Sequence, residues 1–571
     1  MRVPPLFPEI LAARAARTPD RRAYVFLGED ETEAAVLTYG ELHRRALAVA
    51  ERLTGLCAPG DRALLLFPPG LDFVVGYFGC LLARVIAVPV NRPRKHRIQD
   101  ATLSVIADCA PAVVLTDSTL AESARRNLPE LAASAAWLEV DRLDPAPGGG
   151  FEPIACDARD IAFLQYTSGS TAAPKGVMVS HGNLIANQEH MTRAFGHDAD
   201  STVVGWAPLY HDQGLIGNVL NPLYVGSTSV LMSPLVFIRW PLRWLTAVSR
   251  YRAHTSGGPN FAYDACVARA QKQGLPDVDL SGWRIAFNGA EPVRHDTLRR
   301  FTETFAPVGF RAQAHFPCYG LAEATLMVAG AGPGRGARTC EADVDALAAR
   351  RYEPAEPGRG QTLVGSGIVA PGQRVRIVDP ETGRPCGDGD IGEIWVSGGN
   401  VTQGYWRNEA ATAATFHGRL AGDEDAYLRT GDLGFLLEGE LYVVGRLKDM
   451  IIIRGRNLYP QDIEFTVQAA HEALQEGGCA AFSVPGPDGE RLVVVQEVRR
   501  EQLWEADRMD VVSSIRAAVT REHDVALGDI VLTKPVQLQK TSSGKIMRAA
   551  ARRRYLDADF DLWAPRAPAP A

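Results

Sequence analysis

Brief, continuously apolar runs separated by amphipathic stretches recur along the first three-quarters of the chain. Residues 63–67, 85–90, 113–116, 161–164, 203–206, 229–231 and 284–287 read as short strands. Between them, apolar positions fall at helical spacing. Thr38-Tyr39-Gly40-Glu41 has the form of a capping box and predicts a helix running on through Leu53, and residues 73–82 predict another. Apolar strands alternating with helices predict an α/β fold of mainly parallel sheet covered on both faces. Residues 329–365, rich in Gly and Pro, read as an inserted or irregular segment. A strand-rich piece follows at 375–378 and 392–396, then a hairpin pattern at 434–444.

A second alternation begins near Gly445. Residues 450–453 read as a strand, and Pro460 takes a first helical position with Asp462 and Glu464 in the first turn. Gly477-Gly478 marks the expected end of that helix. A strand at 492–498, a helix at 511–523 and a strand at 530–533 complete a small separate α/β domain. Residues 563–571, Pro- and Ala-rich, read as a disordered tail.

Bulk properties narrow the picture. A chain of 571 residues exceeds one typical domain, and 46% apolar with 22% charged residues is ordinary for a soluble globular protein. A net charge of −7 makes no case for nucleic-acid binding. No apolar run approaches the roughly 20 residues needed to span a bilayer, and no signal peptide is evident. Nine scattered cysteines without a Cys-x-x-Cys pair point to reduced thiols in the cytoplasm.

The chemical signals are loops that follow strands. Tyr166 to Gly176 sets Thr167, Ser168, Gly169, Ser170 and Thr171 ahead of Lys175. A strand feeding small hydroxylated residues, with a Lys at the end, suits a polyphosphate, because Gly admits close backbone approach and the hydroxyls donate. The same residues also describe a surface turn. The loop lacks the spacing of a Walker A motif. Further segments occupy similar positions: 208–214 with His211, 288–292 with Gly289, Ala290 and Glu291, 319–325 with Tyr319, Gly320 and Glu323, 427–432 with Asp432, 445–449 with Arg446 and Lys448, and 539–545 with Lys545. Taken singly, His211 is a hydrogen-bonded loop residue, Asp432 a turn residue and Lys545 a solvated lysine. Their order and spacing together reverse that reading, since ligands of open α/β sheets bind beyond the carboxyl ends of the strands.

With these segments the chain closely resembles the adenylate-forming superfamily of acyl ligases, luciferases and peptide-synthetase adenylation domains. It is most similar to the fatty acyl-AMP ligases. The carrying strings are Pro208-Leu-Tyr-His-Asp212, Gly257-Gly-Pro-Asn-Phe-Ala-Tyr-Asp264, Asn288-Gly-Ala-Glu-Pro-Val293, Cys318-Tyr-Gly-Leu-Ala-Glu-Ala-Thr325 and Asp449-Met-Ile-Ile-Ile-Arg-Gly-Arg-Asn-Leu-Tyr-Pro460. The resemblance implies a large N-terminal domain (1–445), a hinge at 446–449 carrying Lys448, and a small mobile C-terminal domain (450–562). It also implies ATP and Mg²⁺ as cofactors, and adenylation of a medium- or long-chain fatty acid with release of pyrophosphate. The acyl group then passes to the phosphopantetheine thiol of a separate acyl carrier protein. Use of free coenzyme A is the alternative within the class, and an inactive adenylate-binding scaffold the alternative outside it.

By resemblance, Lys545 bridges the carboxylate and the α-phosphate, reaching the site by domain closure. His211 lies beside the acyl carboxylate. Thr167, Ser168, Gly169, Ser170, Thr171 and Lys175 handle the β- and γ-phosphates, and Glu323 is the magnesium carboxylate. Asp432 and Arg446 hold the ribose, while Gly289, Ala290, Glu291, Tyr319 and Gly320 surround the adenine. Two positions depart from the pattern: Ala172 stands where Gly is common, and Ala322 where Thr often precedes the Glu. Residues 237–244, 257–263 and 326–328 are candidates for lining an acyl tunnel. Residues 540–556 hold six basic residues and no acidic one, a candidate face for an acidic carrier.

Overall fold

The computed structural model describes residues 5–91, 100–144, 151–167, 174–356, 359–453, 456–486, 489–541 and 544–563. The expected capping box forms: the Thr38 amide donates to Glu41 Oε2 at 2.9 Å and the Glu41 amide to Thr38 Oγ1 at 3.2 Å, opening the helix Tyr39–Thr54. Its apolar stripe packs on the helix Asp72–Leu82, where Gly79 leaves no room for a Cβ against Val49.

Two sheets carry the N-terminal part. The first has six strands in the order Ala136–Glu139, Val113–Thr116, Arg62–Leu65, Ile86–Pro89, Ile161–Thr167 and Lys175–Ser180. The first five are parallel and the last turns back antiparallel. The second has 13 strands and is mixed. Arg22–Leu27, Ser229–Met232, Val203–Gly205, Thr255–Gly257, Ile285–Asn288 and His315–Gly320 run parallel. From Met327–Gly330 onward, through the hairpin Leu428–Leu437/Glu440–Arg446, every pairing is antiparallel. The parallel reading therefore holds only for the helix-covered half. The segment read as irregular, 329–365, contains the antiparallel pair Thr339–Ala342/Gln361–Val364 and the short helix Val344–Ala348.

The C-terminal part pairs Leu474–Gly486 antiparallel with Gly489–Val498, which pairs parallel with Leu527–Thr533. Helices Pro460–Ala469, Arg508–His523 and Arg548–Leu556 cover them. Two expectations are corrected here. The helix from Pro460 stops at Ala469, and Gly477-Gly478 lies inside a strand, where Gly477 (φ +66°) forms an irregularity in the ladder between Leu474 and Cys479. Trp563, assigned to a disordered tail, is 2% exposed, and its Nε1–H donates to the Leu503 carbonyl at 2.9 Å. An indole offers too much apolar area to leave in water when a cleft beside the sheet accepts it.

The two parts are in contact. Arg456 reaches Asp345 at 2.8 Å, Asn457 Nδ2 donates to the Ala348 carbonyl at 2.7 Å, and Gln461 Nε2 donates to the Val444 carbonyl at 2.7 Å. Tyr459 is buried among Ala342, Leu347, Phe435 and Tyr442. The connecting residues 447–449 form a turn, with Lys448 exposed. Among the described residues no helix is long and apolar enough to cross a membrane.

Candidate active site

The hairpin expected to hold the outer phosphates is the return from Ile161–Thr167 to Lys175–Ser180, with Thr167 paired to Lys175. Ser168, Gly169, Ser170 and Thr171, together with Ala172, lie outside the described residues. At the foot of the hairpin Gly176 leaves no room for a Cβ, which would sit 2.8 Å from the Tyr166 ring. Residues 404–406 run against the outer strand, where Met178 N–H donates to the Gly404 carbonyl and Trp406 N–H to that of Gly176.

This pairing brings Tyr405 into the site. The Lys175 ammonium lies 4.6 Å from the centroid of the Tyr405 ring, and the Tyr405 hydroxyl donates to Glu323 Oε1 at 2.8 Å. Glu323 sits on a single helical turn, Ala322–Ala324, closed by Thr325 at φ +68°. Thr325 Oγ1 donates to the Asn400 carbonyl at 2.6 Å and Asn400 Nδ2 to the Ala324 carbonyl at 3.0 Å. These bonds offset the cost of the unusual backbone and hold the turn from which the carboxylate projects.

Asp432 lies on a strand and not in a turn, opposite Arg446 in the ladder. The Tyr319 hydroxyl donates to Asp432 Oδ2 at 2.7 Å and Arg446 Nε to Oδ1 at 2.9 Å. Burial, reinforced by the Asp432 charge, raises the Tyr319 pKa well above its ordinary value, so this hydroxyl remains a donor. Close by, a Cβ on Gly289 would meet the Cys318 carbonyl at 2.8 Å, and one on Gly320 the Leu326 carbonyl at 1.7 Å. Ala290 takes φ +76°, a strained conformation for a residue with a Cβ. Glu291 Oε1 accepts from Asn260 Nδ2 at 3.0 Å.

His211 precedes a π-helix, Gln213–Leu220, capped by Asp212. Gly214 lies so near the Pro208 carbonyl that no larger residue fits. His211 Nδ1 is 2.8 Å from Asp212 Oδ1, and Gln165, from the phosphate hairpin, donates to the Tyr210 carbonyl. Burial opposes the charge on Asp212, but the His211 hydrogen bond, the Gln213 amide and Lys545 outweigh it and lower the carboxyl pKa.

Lys545 closes the site from the C-terminal part. Its loop is tied by mutual bonds with Thr541, and Gly544 (φ +85°) packs close to the Phe261 ring. The ammonium feels Glu291, Asp212 and Asp432 as stabilising charges. Burial first, and then Arg446, lower its pKa from the ordinary lysine value. Lys545 is thus brought among Glu291, Asp212, Asp432 and Arg446, all from the N-terminal part. Lys448 does not join them.

Behind Phe261 lies an aromatic box. Trp206 stacks on Phe237 with ring centroids 4.0 Å apart, and Phe261 meets Trp206 edge-on at 5.8 Å. The basic run 540–556, in contrast, is largely spoken for. Lys545 is in the site, Arg548 bonds Glu464 and Asp449, Arg552 bonds the Ser483 carbonyl, and Arg554 bonds Asp559. Among the described residues Lys540 and Arg553 remain exposed, so the free basic face is narrower than the run itself. Asp212, Tyr405 and Asn260 were not assigned roles in the sequence. Asp212 adjoins His211 and could have been noticed there, whereas Tyr405 sits far along the chain in a segment without chemical signature.

A mixed sheet whose strand ends gather a Gly/Ser/Thr-rich hairpin, a buried carboxylate held by Tyr319 and Arg446, and a lysine from the C-terminal part is the arrangement of an adenylate-forming enzyme. The chain belongs to the AMP-binding enzyme family, which matches residues 11–406. Residues 448–564 match the Disco-interacting protein 2-like AMP domain. The chain is 42% identical to the medium-chain-fatty-acid–[acyl-carrier-protein] ligase JamA of Moorena producens, over 98% of this chain and 96% of that protein. It is 38% identical to the 4-hydroxyphenylalkanoate adenylyltransferase of Mycobacterium tuberculosis, over 97% and 92%. Among solved structures, a fatty acyl-adenylate ligase of Legionella pneumophila in complex with acyl adenylate and pyrophosphate superposes with TM-score 0.77 at 37% identity, covering 98% of this chain and 97% of that one. Within the family, the chain groups with the fatty acyl-AMP ligases.

Proposed function

We propose that this enzyme joins a fatty acid to AMP and passes the acyl group to the phosphopantetheine thiol of a separate carrier protein. A carboxylate oxygen attacks the α-phosphorus of ATP and pyrophosphate leaves. The thiolate sulfur then attacks the acyl carbonyl carbon and AMP leaves. Both partners in the first step are anions, so charge neutralisation and alignment supply the catalysis. The observation that carries this reading is the position of Lys545 among Asp212, Glu291, Asp432 and Arg446. There its ammonium can meet both the incoming carboxylate and the α-phosphate, with His211 beside the acyl end. Asp432 and Arg446 would take the ribose hydroxyls, Gly289 to Glu291 with Tyr319 and Gly320 the adenine, and Thr167 and Lys175 the outer phosphates. Lys448, in the exposed connecting turn, is the proposed hinge.

Glu323 fits Mg²⁺. It offers a hard oxygen beside the hairpin, and its Oε2 receives no hydrogen bond among the described residues. Bound there, the ion would neutralise charge on the departing phosphates. The Trp206–Phe237–Phe261 box, adjoining Gly544, suits an alkyl chain, and roughly 0.8 kcal/mol per buried methylene corresponds to about fourfold per carbon.

A second reading has coenzyme A as acceptor, since relatives at 39% identity carry the name putative fatty-acid–CoA ligase. Mass spectrometry of mixtures holding ATP and fatty acids of graded length, with holo-carrier protein or coenzyme A in parallel, decides. Acyl-adenylate with acylated carrier supports the proposal, acyl-coenzyme A at an equal rate supports the second reading, and no adenylate from any acid overturns both.

A further inference from the structure

Tyr405 belongs to neither the phosphate hairpin nor the Glu323 turn, yet it touches both. Its hydroxyl donates to Glu323 Oε1 at 2.8 Å, and its ring lies 4.6 Å from the Lys175 ammonium. The residue is itself held from several sides. It is 6% exposed, its amide donates to Thr412 Oγ1 at 3.0 Å, its backbone bridges to Val177, and its ring meets Phe416 edge-on at 5.3 Å. The carbonyl of Glu323 is fixed in turn by the amide and hydroxyl of Thr402, both at 3.0 Å. The backbones of both residues are thus fixed, and the two side chains meet through the Tyr405 hydroxyl–Glu323 bond.

From this geometry we infer that Tyr405 is a positioning residue that sets the cation selectivity of the site, by reserving one oxygen of Glu323 and leaving the other to a divalent ion. The inference rests on the adenylation reading, in which Glu323 meets the metal of the nucleotide. A carboxylate with both oxygens available can chelate, which suits the long bonds and high coordination number of Ca²⁺. A carboxylate with one oxygen engaged by a hydroxyl donor is a poorer chelator and favours a single short bond through the other oxygen, which suits the octahedral shell of Mg²⁺. The ring of the same residue supports Lys175, so the ammonium and the carboxylate that flank the outer phosphates are spaced by one rigid side chain.

The test is Tyr405→Phe, which keeps the ring and removes the hydroxyl. Binding of ATP is followed calorimetrically without fatty acid, in the presence of Mg²⁺ or of Ca²⁺, and the ratio of the two dissociation constants is compared with wild type. About a tenfold fall in preference for Mg²⁺ is expected, with unchanged affinity for the fatty acid. Because the readout is a ratio, a partly folded preparation does not shift it. Tyr405→Leu, lacking the ring as well, should show the same loss of selectivity plus weaker ATP binding with either ion. An unchanged ratio in Tyr405→Phe overturns the inference and leaves the adenylation reading standing. Failure of the wild type to bind ATP with either ion overturns both.

Discussion

The Tyr319 hydroxyl donates to Asp432 Oδ2 at 2.7 Å, joining residues 113 positions apart in the chain. Asp432 is 6% exposed, and its other oxygen is taken by Arg446 at 2.9 Å. The carboxylate is therefore aimed before any nucleotide arrives, and under the proposed function a ribose would meet a preorganised acceptor. Replacing Asp432 by Asn removes the charge that both donors address. Hydrogen bonds to charged groups contribute about 1.5–3 kcal/mol, so the KM for ATP should rise about tenfold or more while that for the acid stays level. Wild type should also discriminate against 2′-deoxy-ATP, and the variant should not. Steady-state kinetics with both nucleotides measures this.

Lys545 owes its lowered pKa to burial and to Arg446. Under the proposed function the ammonium acts charged, and the charged form persists only below the folded-state pKa. Adenylation should accordingly decline as pH rises, at a pH below that of an ordinary lysine. Lys545→Arg should remove this alkaline limb, since a guanidinium stays protonated. Lys545→Ala should slow adenylation about 10²- to 10³-fold, while thiol transfer from preformed acyl-adenylate survives. Rates of the two half-reactions across pH test both statements.

Arg548 bonds both oxygens of Glu464, at 2.7 and 2.8 Å, and Asp449 at 2.9 Å. Glu464 is buried, so Arg548→Met strands a carboxylate and should cost about 3 kcal/mol. Denaturant unfolding of wild type and variant, followed by hydrogen exchange of C-terminal peptides, measures this.

Asp462 has its carboxyl pKa raised to about 6, chiefly by burial, with Glu464 adding to it and Gln361 and Arg294 opposing. A carboxyl whose folded-state pKa exceeds its unfolded value, 3.8, binds a proton more tightly when folded. Its contribution is therefore favourable at low pH and is lost as pH rises from about 4 through about 6. Asp462→Asn should gain thermal stability relative to wild type as pH goes from 4.5 to 7.5, on the order of degrees. A constant difference across that range would contradict the assignment.

Much of this was legible in the sequence, and for specific reasons. Thr38 and Glu41 announce a helix because a capping box is local chemistry. The alternating apolar runs announce the helix-covered sheet because both its faces are buried. Gly477 misled, because a glycine with positive φ closes a helix or kinks a strand equally well, and only the pairing of Cys479 with Gln496 decides. Arg548 and Arg552 look like part of a free basic face in one dimension, yet their carboxylate and carbonyl partners come from elsewhere in the chain. Tyr405 was missed because its meaning depends on Glu323 and Lys175, both far away in the chain.

The proposed function has Lys545, brought among Asp212, Glu291 and Asp432, activate a fatty acid on ATP. Exchange of labelled pyrophosphate into ATP, with a panel of fatty acids of increasing length, tests it most directly. Exchange should depend on the added acid, favour one range of chain length and collapse in Lys545→Ala. Exchange at background for every acid, in a preparation that unfolds cooperatively, would contradict it.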